Sequence, residues 1–323
     1  MGRNLPWQVR ARPFISPVWA ALLVSGAVAF WASAARTQSS TGDPTFTAQV
    51  SVEQVLVPVV VTAKGRFVDD LELADFRLYV DGRRAEVTSF ERSRGAPVHT
   101  LLLQDLSGSM GGPKLSRSQS VVEYLLSISQ AGDRYSLATF AASGVAIEPE
   151  PAAYQSTVRD WMQGWKAYGK TGIHDAIAKI PELISADSAW RSAVLLLTDG
   201  NDNASHIAAD EAREIARRAD VPIHILSMSA PTLAETSGRW SEEPLRLLAW
   251  VTGGEFHSLG DPASVSAASE AFMRQLRSQY ILAFSTTGVG RARARKIRVE
   301  VRGRNRRVSS RREYLGTAPA VVP

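Results

Sequence analysis

From Val98 onward the chain alternates short apolar runs with stretches of helical character. The runs near 98–104, 134–140, 192–198, 222–228 and 254–258 read as strands. The intervening stretches near 114–130, 153–165, 172–185, 205–219, 241–252 and 264–279 read as helices. This rhythm predicts an α/β domain with a doubly wound, mostly parallel sheet covered by helices on both faces. Ahead of it, 46–93 is β-like. VLVPVVVTA is β-branched and stops at Lys64-Gly65, and RLYVDGRRAEVTSF turns back at Asp81-Gly82 between two alternating runs. After Gln279, YILAFSTT and an alternating basic stretch return to β structure. The N- and C-terminal β pieces are expected to pack as one sandwich-like unit flanking the α/β part.

The expected organisation is therefore a leader (1–34), a Ser/Thr/Gly/Pro-rich linker (35–45), a β segment (46–95), the α/β domain (96–280), a second β segment (281–316) and a short tail (317–323). The leader carries Arg3, Arg10 and Arg12 and no acid. Phe14 to Ala34 is uncharged and ends in Ala32-Ser33-Ala34, the pattern of a secretory signal peptide. The apolar stretch is also long enough for an uncleaved anchor over 14–34 with its positive side inside. Both readings put the rest of the chain outside the cytoplasm, in the periplasm, at the cell surface or beyond. No cysteine occurs anywhere, which excludes disulfides, thiolate metal sites and a lipid-acceptor cysteine.

A net charge of +5 hides an uneven distribution. The leader contributes three Arg, and 291–313 holds eleven Arg or Lys against two Glu, so 35–290 is left at about −7. The basic stretch suggests nucleic acid or anionic lipid only if taken alone. Its residues alternate, with Ile297, Val299 and Val301 facing one way and Lys296, Arg298, Glu300 and Arg302 the other. That is the pattern of strands with a solvated basic face, and no nucleic-acid partner is expected.

The chemistry concentrates in VHTLLLQDLSGSMGG. An apolar strand ends at Asp105, Ser107 and Ser109 follow at two-residue spacing, and Gly108, Gly111 and Gly112 allow a tight turn. One carboxylate and two hydroxyls at a strand end form the hard oxygen set that a small divalent cation takes. Alone the motif is weak, since Ser, Asp and Gly after a strand also make turns and helix caps. Two further loops strengthen it: GKTGIHDAI presents Thr171, and SAVLLLTDGNDN ends a second strand at Asp199-Gly200. Neutral hydroxyls leave an ion only roughly neutralised by its two carboxylates, and a six-ligand ion keeps a position open for an outside carboxylate.

In this order the five residues resemble the metal-ion-dependent adhesion site of von Willebrand factor type A domains: Asp-x-Ser-x-Ser, a distant Thr, then Asp-Gly after a strand. The resemblance implies Mg²⁺, with Mn²⁺ or Ca²⁺ as alternatives. Ser107, Ser109 and Thr171 would bind it, and Asp105 and Asp199 would hold it directly or through water. VLVPVVVTAKGRFVDDLELADFRLYVDGRRAEVTSFER, LAWVTGGEF and LRSQYILAF with RREYLG extend the similarity to the bacterial von Willebrand A-related proteins typical of acidobacteria, over roughly 48–316. Two positions depart from the pattern. Leu106 stands where a small polar residue is usual, and His174 where an aromatic one often follows the Thr loop.

Other features carry less. His99, His174, His206, His224 and His257 show no metal spacing. DGNDNASHIAAD has Ala204 and Asp210 where a calcium loop needs Gly and Glu, so Asn201 to Asn203 read as loop and cap. Trp161 and Trp165 are spaced for packing, with a partner-binding rim as the other reading. A phosphatase-like use of Asp105 would need a second acid at Ser107, and Ser109 has no evident base. The expectation is an exported, non-enzymatic module that captures an Asp or Glu of another protein through the ion. The rivals are a metal-dependent hydrolase and a structural envelope protein with a vestigial site. The ligands are expected on a surface loop, and any membrane contact only through the leader.

Overall fold

The computed structural model describes residues 53–92, 96–142, 144–148, 151–152, 154–184, 191–229, 242–286 and 293–317. The leader and linker lie outside them, as do parts of both β segments and most of the tail. All described residues belong to one compact unit.

The central sheet has the order β11-β10-β9-β6-β7-β8. Its strands are β6 (Val98–Asp105), β7 (Arg134–Ala141), β8 (Gly144–Ile147), β9 (Arg191–Thr198), β10 (Ile223–Ser227) and β11 (Phe256–Ser258). All neighbours run parallel except β8, which pairs antiparallel with β7 at the edge. Apolar runs such as Leu101-Leu102-Leu103 arise because central strands are buried on both faces. Leu102, Leu195 and Leu197 join one core with α1 (Pro113–Ser127), α2 (Gln155–Gln163) and α6 (Ser264–Arg277). Leu101, Leu103, Val194 and Leu196 join the other with α3 (Ile173–Leu183), α4 (Ala209–Ala216) and α5 (Glu243–Thr252). Helix α1 shows why these segments are helical: its buried Val121, Val122, Leu125 and Leu126, with buried Ser118 a turn earlier, recur every three or four residues and form one buried stripe.

The remaining strands are β1 (Glu53–Ala63), β2 (Arg66–Phe67), β3 (Phe76–Val80), β4 (Arg83–Ala85), β5 (Ser89–Arg92), β12 (Tyr280–Thr286), β13 (Arg293–Val301), β14 (Arg306–Ser310) and β15 (Glu313–Gly316). They form two antiparallel sheets, β14-β1-β12-β5 with β2 attached to β1, and β15-β13-β3-β4. Each sheet takes strands from both ends of the chain. Val57, Val59 and Phe284 of one share a core with Leu78, Ile297 and Tyr314 of the other. Both tight hairpins have two residues at positive φ, Lys64-Gly65 (52° and 75°) and Asp81-Gly82 (48° and 79°), matching the strand twist. Lys296, Arg298 and Arg302 are exposed opposite Ile297 and Val299, as the alternation predicts. Arg311 departs from that solvated face: it is buried and its Nη1 donates to Asp220 at 2.6 Å, joining the β unit to the residues after α4.

Two elements differ from the sequence expectation, and one turn shows how its glycines act. Strand β8 is short and mostly exposed, so it carries no apolar run to announce it. Helix α4 begins at Ala209 rather than near 205, because side chains at 202–205 engage backbone amides and hold that stretch as a loop. The Gly253-Gly254 turn divides its work: Gly253 takes φ 85°, while a Cβ on Gly254 would lie 2.0 Å from Ile223 O.

Candidate metal centre

Three loops meet above the carboxyl ends of β6 and β9, running from Asp105 to Gly112, from Lys166 to Gly172, and from Asp199 to Ala208. Gly108 N–H donates to Gly169 O at 2.9 Å, Tyr168 N–H to Leu106 O at 2.8 Å, and Ala204 N–H to Thr171 O at 2.9 Å. A Cβ on Gly108 would stand 3.1 Å from Gly169 O, so glycine lets the first two loops touch.

Asp105 ends β6 and has no exposed surface. Its Oδ1 accepts from Ser107 N–H at 2.8 Å and its Oδ2 from the Thr198 hydroxyl at 2.7 Å. Burial pushes its pKa up to about 6; the Thr198 and Ser107 hydrogen bonds oppose this, and the nearby Asp199 charge adds to it. The Ser107 and Ser109 hydroxyls lie 3.1 Å apart. Asp199 follows β9, is 3% exposed, and accepts from Lys114 Nζ at 2.7 Å. Strands β6 and β9 are adjacent, with Gln104 opposite Leu197. The two acids therefore leave the sheet from adjacent strands, with Asp199 one residue beyond the position opposite Asp105.

Thr171 is 1% exposed, and its hydroxyl has no hydrogen-bond partner among the described residues. Its backbone is fixed by the Asn203 side chain, which accepts from Thr171 N–H at 2.9 Å. Leaving a buried hydroxyl unpaired costs about 1–3 kcal/mol, so a missing partner at this position is informative. Two carboxylates, two touching hydroxyls and one orphaned hydroxyl fit a hard cation. Among the described residues no group of three or more His, Cys, Asp or Glu is gathered to hold a metal, so an ion here depends on hydroxyl oxygens.

The exposed loop expected from the sequence is not what forms. Asp105, Ser107, Thr171 and Asp199 are buried, and only Ser109 is exposed. Leu106 and Met110 explain this, since both insert into the core against α1 and pull the Ser-bearing turn down. Leu106 thus serves packing where a polar residue would face solvent.

The third loop braces the second. Asp202 Oδ2 accepts from Ile173 and His174 N–H at 2.8 and 3.1 Å and from the Ser205 hydroxyl, capping α3 from another segment. Asp175 accepts from His206 and Ile207 N–H and pairs with the His206 ring. Both acids sit below the usual carboxylate range: these hydrogen bonds outweigh the desolvation that raises them. Trp165 is 7% exposed and Trp161 packs beside the same core, so these rings are packing residues. Tyr168, 58% exposed between exposed Lys166 and Lys170, stands at the rim instead.

Sequence reasoning missed Thr198, Asn203 and Lys114. Thr198 and Asn203 act through contacts between loops and leave no local pattern. Lys114 left one signal, a cation in the first turn of a helix, where the dipole favours acids.

Residues 100–201 match the von Willebrand factor type A domain family, and the chain carries such a domain. No curated protein matches the chain. Among solved structures, a von Willebrand factor type A protein from Catenulispora acidiphila is 14% identical with a TM-score of 0.48, covering 76% of this chain and 73% of that one. An aerotolerance-related membrane protein from Bacteroides fragilis is 16% identical with a TM-score of 0.46, covering 55% and 98%. Mussel byssus proximal thread matrix protein 1, solved with zinc in its MIDAS motif, is 14% identical with a TM-score of 0.46, covering 57% and 48%. Among the described residues of this chain, no helix is long and apolar enough to cross a membrane.

Proposed function

We propose that the chain is an exported interaction module that captures an Asp or Glu of another protein through a divalent cation held by Asp105, Ser107, Ser109, Thr171 and Asp199. The observation that carries this reading is the buried Thr171 hydroxyl, without a partner among the described residues, in a loop joined by backbone hydrogen bonds to the two loops that hold the carboxylates. A bound divalent cation would supply an electrophilic position for the partner's carboxylate, offsetting the cost of removing that carboxylate from water. Asp105, kept in place by Thr198 and Ser107, contributes charge; the serine and threonine hydroxyls contribute oxygen without charge, leaving the ion attractive to an outside acid. Mg²⁺ suits the hydroxyl-rich set, with Mn²⁺ and Ca²⁺ as the alternatives. Export rests on the leader sequence.

A non-enzymatic role is supported by the partner of Ser109, whose hydroxyl meets the Ser107 hydroxyl rather than a base. The test is capture of partners from envelope extract by the immobilised full chain. Capture should be lost in EDTA, return with Mg²⁺ and fail with Asp105→Asn. Capture indifferent to both changes, or turnover of a generic phosphate ester by the wild type, overturns the proposal.

A further inference from the structure

We propose that Lys114 is the rim's built-in counter-cation: it competes with the divalent ion for Asp199 and thereby sets how tightly the ion is held. The inference rests on the metal-binding reading above. Lys114 is the second residue of α1, immediately after the loop that carries Ser107 and Ser109. Its Nζ lies 2.7 Å from Asp199 Oδ2, and the side chains are 35% and 3% exposed. The carboxylate is thus sunk in the rim while the lysine reaches it from the mouth.

Local helix chemistry does not put a lysine there. The first turn of α1 contains no acid, and the helix dipole turns its positive end toward Lys114. What holds the ammonium is Asp199, whose other oxygen receives, among the described residues, a long 3.5 Å contact from Asn201 N–H. Among the described residues no other cation lies within ion-pair distance of Asp105 or Asp199.

A cation that takes Asp199 Oδ2 must displace the ammonium from that oxygen, and one that takes Oδ1 still shares the carboxylate's charge with it. Lysine suits that exchange, because its ammonium is a strongly hydrated point charge on a flexible stem and leaves for water at little cost. Once released, the ammonium would remain at the mouth of the rim, where its charge would act on whatever approaches. Neutralising Lys114 removes both the competitor and a repelling charge, so the two effects push the ion's affinity the same way.

The test is calorimetric titration of MgCl₂ and MnCl₂ into the full chain, with melting temperatures recorded with and without ion. Lys114→Gln should bind either ion about tenfold more tightly, the scale of one partly buried charge-assisted pair. It should also melt lower than wild type without ion and gain more on adding it. Lys114→Arg, which keeps the charge but leaves for water less readily, should bind the ion no more tightly than wild type. An equal or weaker affinity in Lys114→Gln overturns the inference. If wild type binds the ion and Asp105→Asn does not, that failure is confined to Lys114. If neither wild type nor Lys114→Gln binds, the metal reading falls with it.

Discussion

Asp202 and Asp175 lie on the same rim as Asp105 and Asp199, yet their oxygens meet different partners. The first two collect backbone N–H groups and neighbouring side chains, and their pKa values are lowered. They behave as caps, tying the 199–208 loop to the start of α3. Asp105 is more deeply buried, receives fewer donors, and is raised to about 6. A carboxylate held at such a cost, with a second carboxylate and an orphaned hydroxyl on the meeting loops, supports the proposed ion site. Sequence proximity does not separate the two groups, since Asp199 and Asp202 are near neighbours; the supply of hydrogen-bond donors does.

The sharpest way to break this comparison is to neutralise one acid of each group. Asp105→Asn should stabilise the ion-free protein at pH 7 by on the order of 1–3 kcal/mol, since it removes a buried charge and keeps the shape. Asp202→Ala should destabilise it by roughly 2 kcal/mol, since three backbone N–H groups and the Ser205 hydroxyl lose their acceptor. Urea unfolding of both variants reads the signs directly. Equal signs would remove the distinction.

The pH dependence sharpens it further. Because the folded pKa of Asp105 is raised, its contribution favours the folded state fully at pH below about 4, and it is lost as pH climbs toward about 6. Ion-free unfolding measured across that window should show a falling contribution in wild type that is absent from Asp105→Asn. Affinity for Mg²⁺ should run the other way, weakening as pH drops through about 6, where protons compete for the same oxygens.

Smaller effects test the hydroxyls and the surface. Thr171→Val should raise ion-free stability by about 1 kcal/mol, because the removed hydroxyl had no partner, while cutting ion affinity several-fold. Arg302→Ala, on the exposed basic face of the β unit, should leave melting temperature and ion binding unchanged.

Periodicity and turn chemistry made most of the fold legible. The parallel strands and six helices appear in the expected order because each buries an apolar run or stripe. The closeness of the Asp105 and Asp199 loops was legible because each follows an apolar strand, and such strands end at the same edge of a parallel sheet. Three things were not. Strand β8 lacks an apolar pattern, and the burial of the ligands depends on Leu106 and Met110 reaching the core. The pairing of Lys114 with Asp199 links residues 85 positions apart.

Titration of Mg²⁺ into the full-length, metal-stripped chain tests the central claim most directly. One ion per chain should bind in wild type, and replacing Asp105 with Asn should weaken that binding at least a hundredfold while the protein remains folded. Absence of binding in wild type, or binding that survives the Asp105→Asn change, contradicts the account.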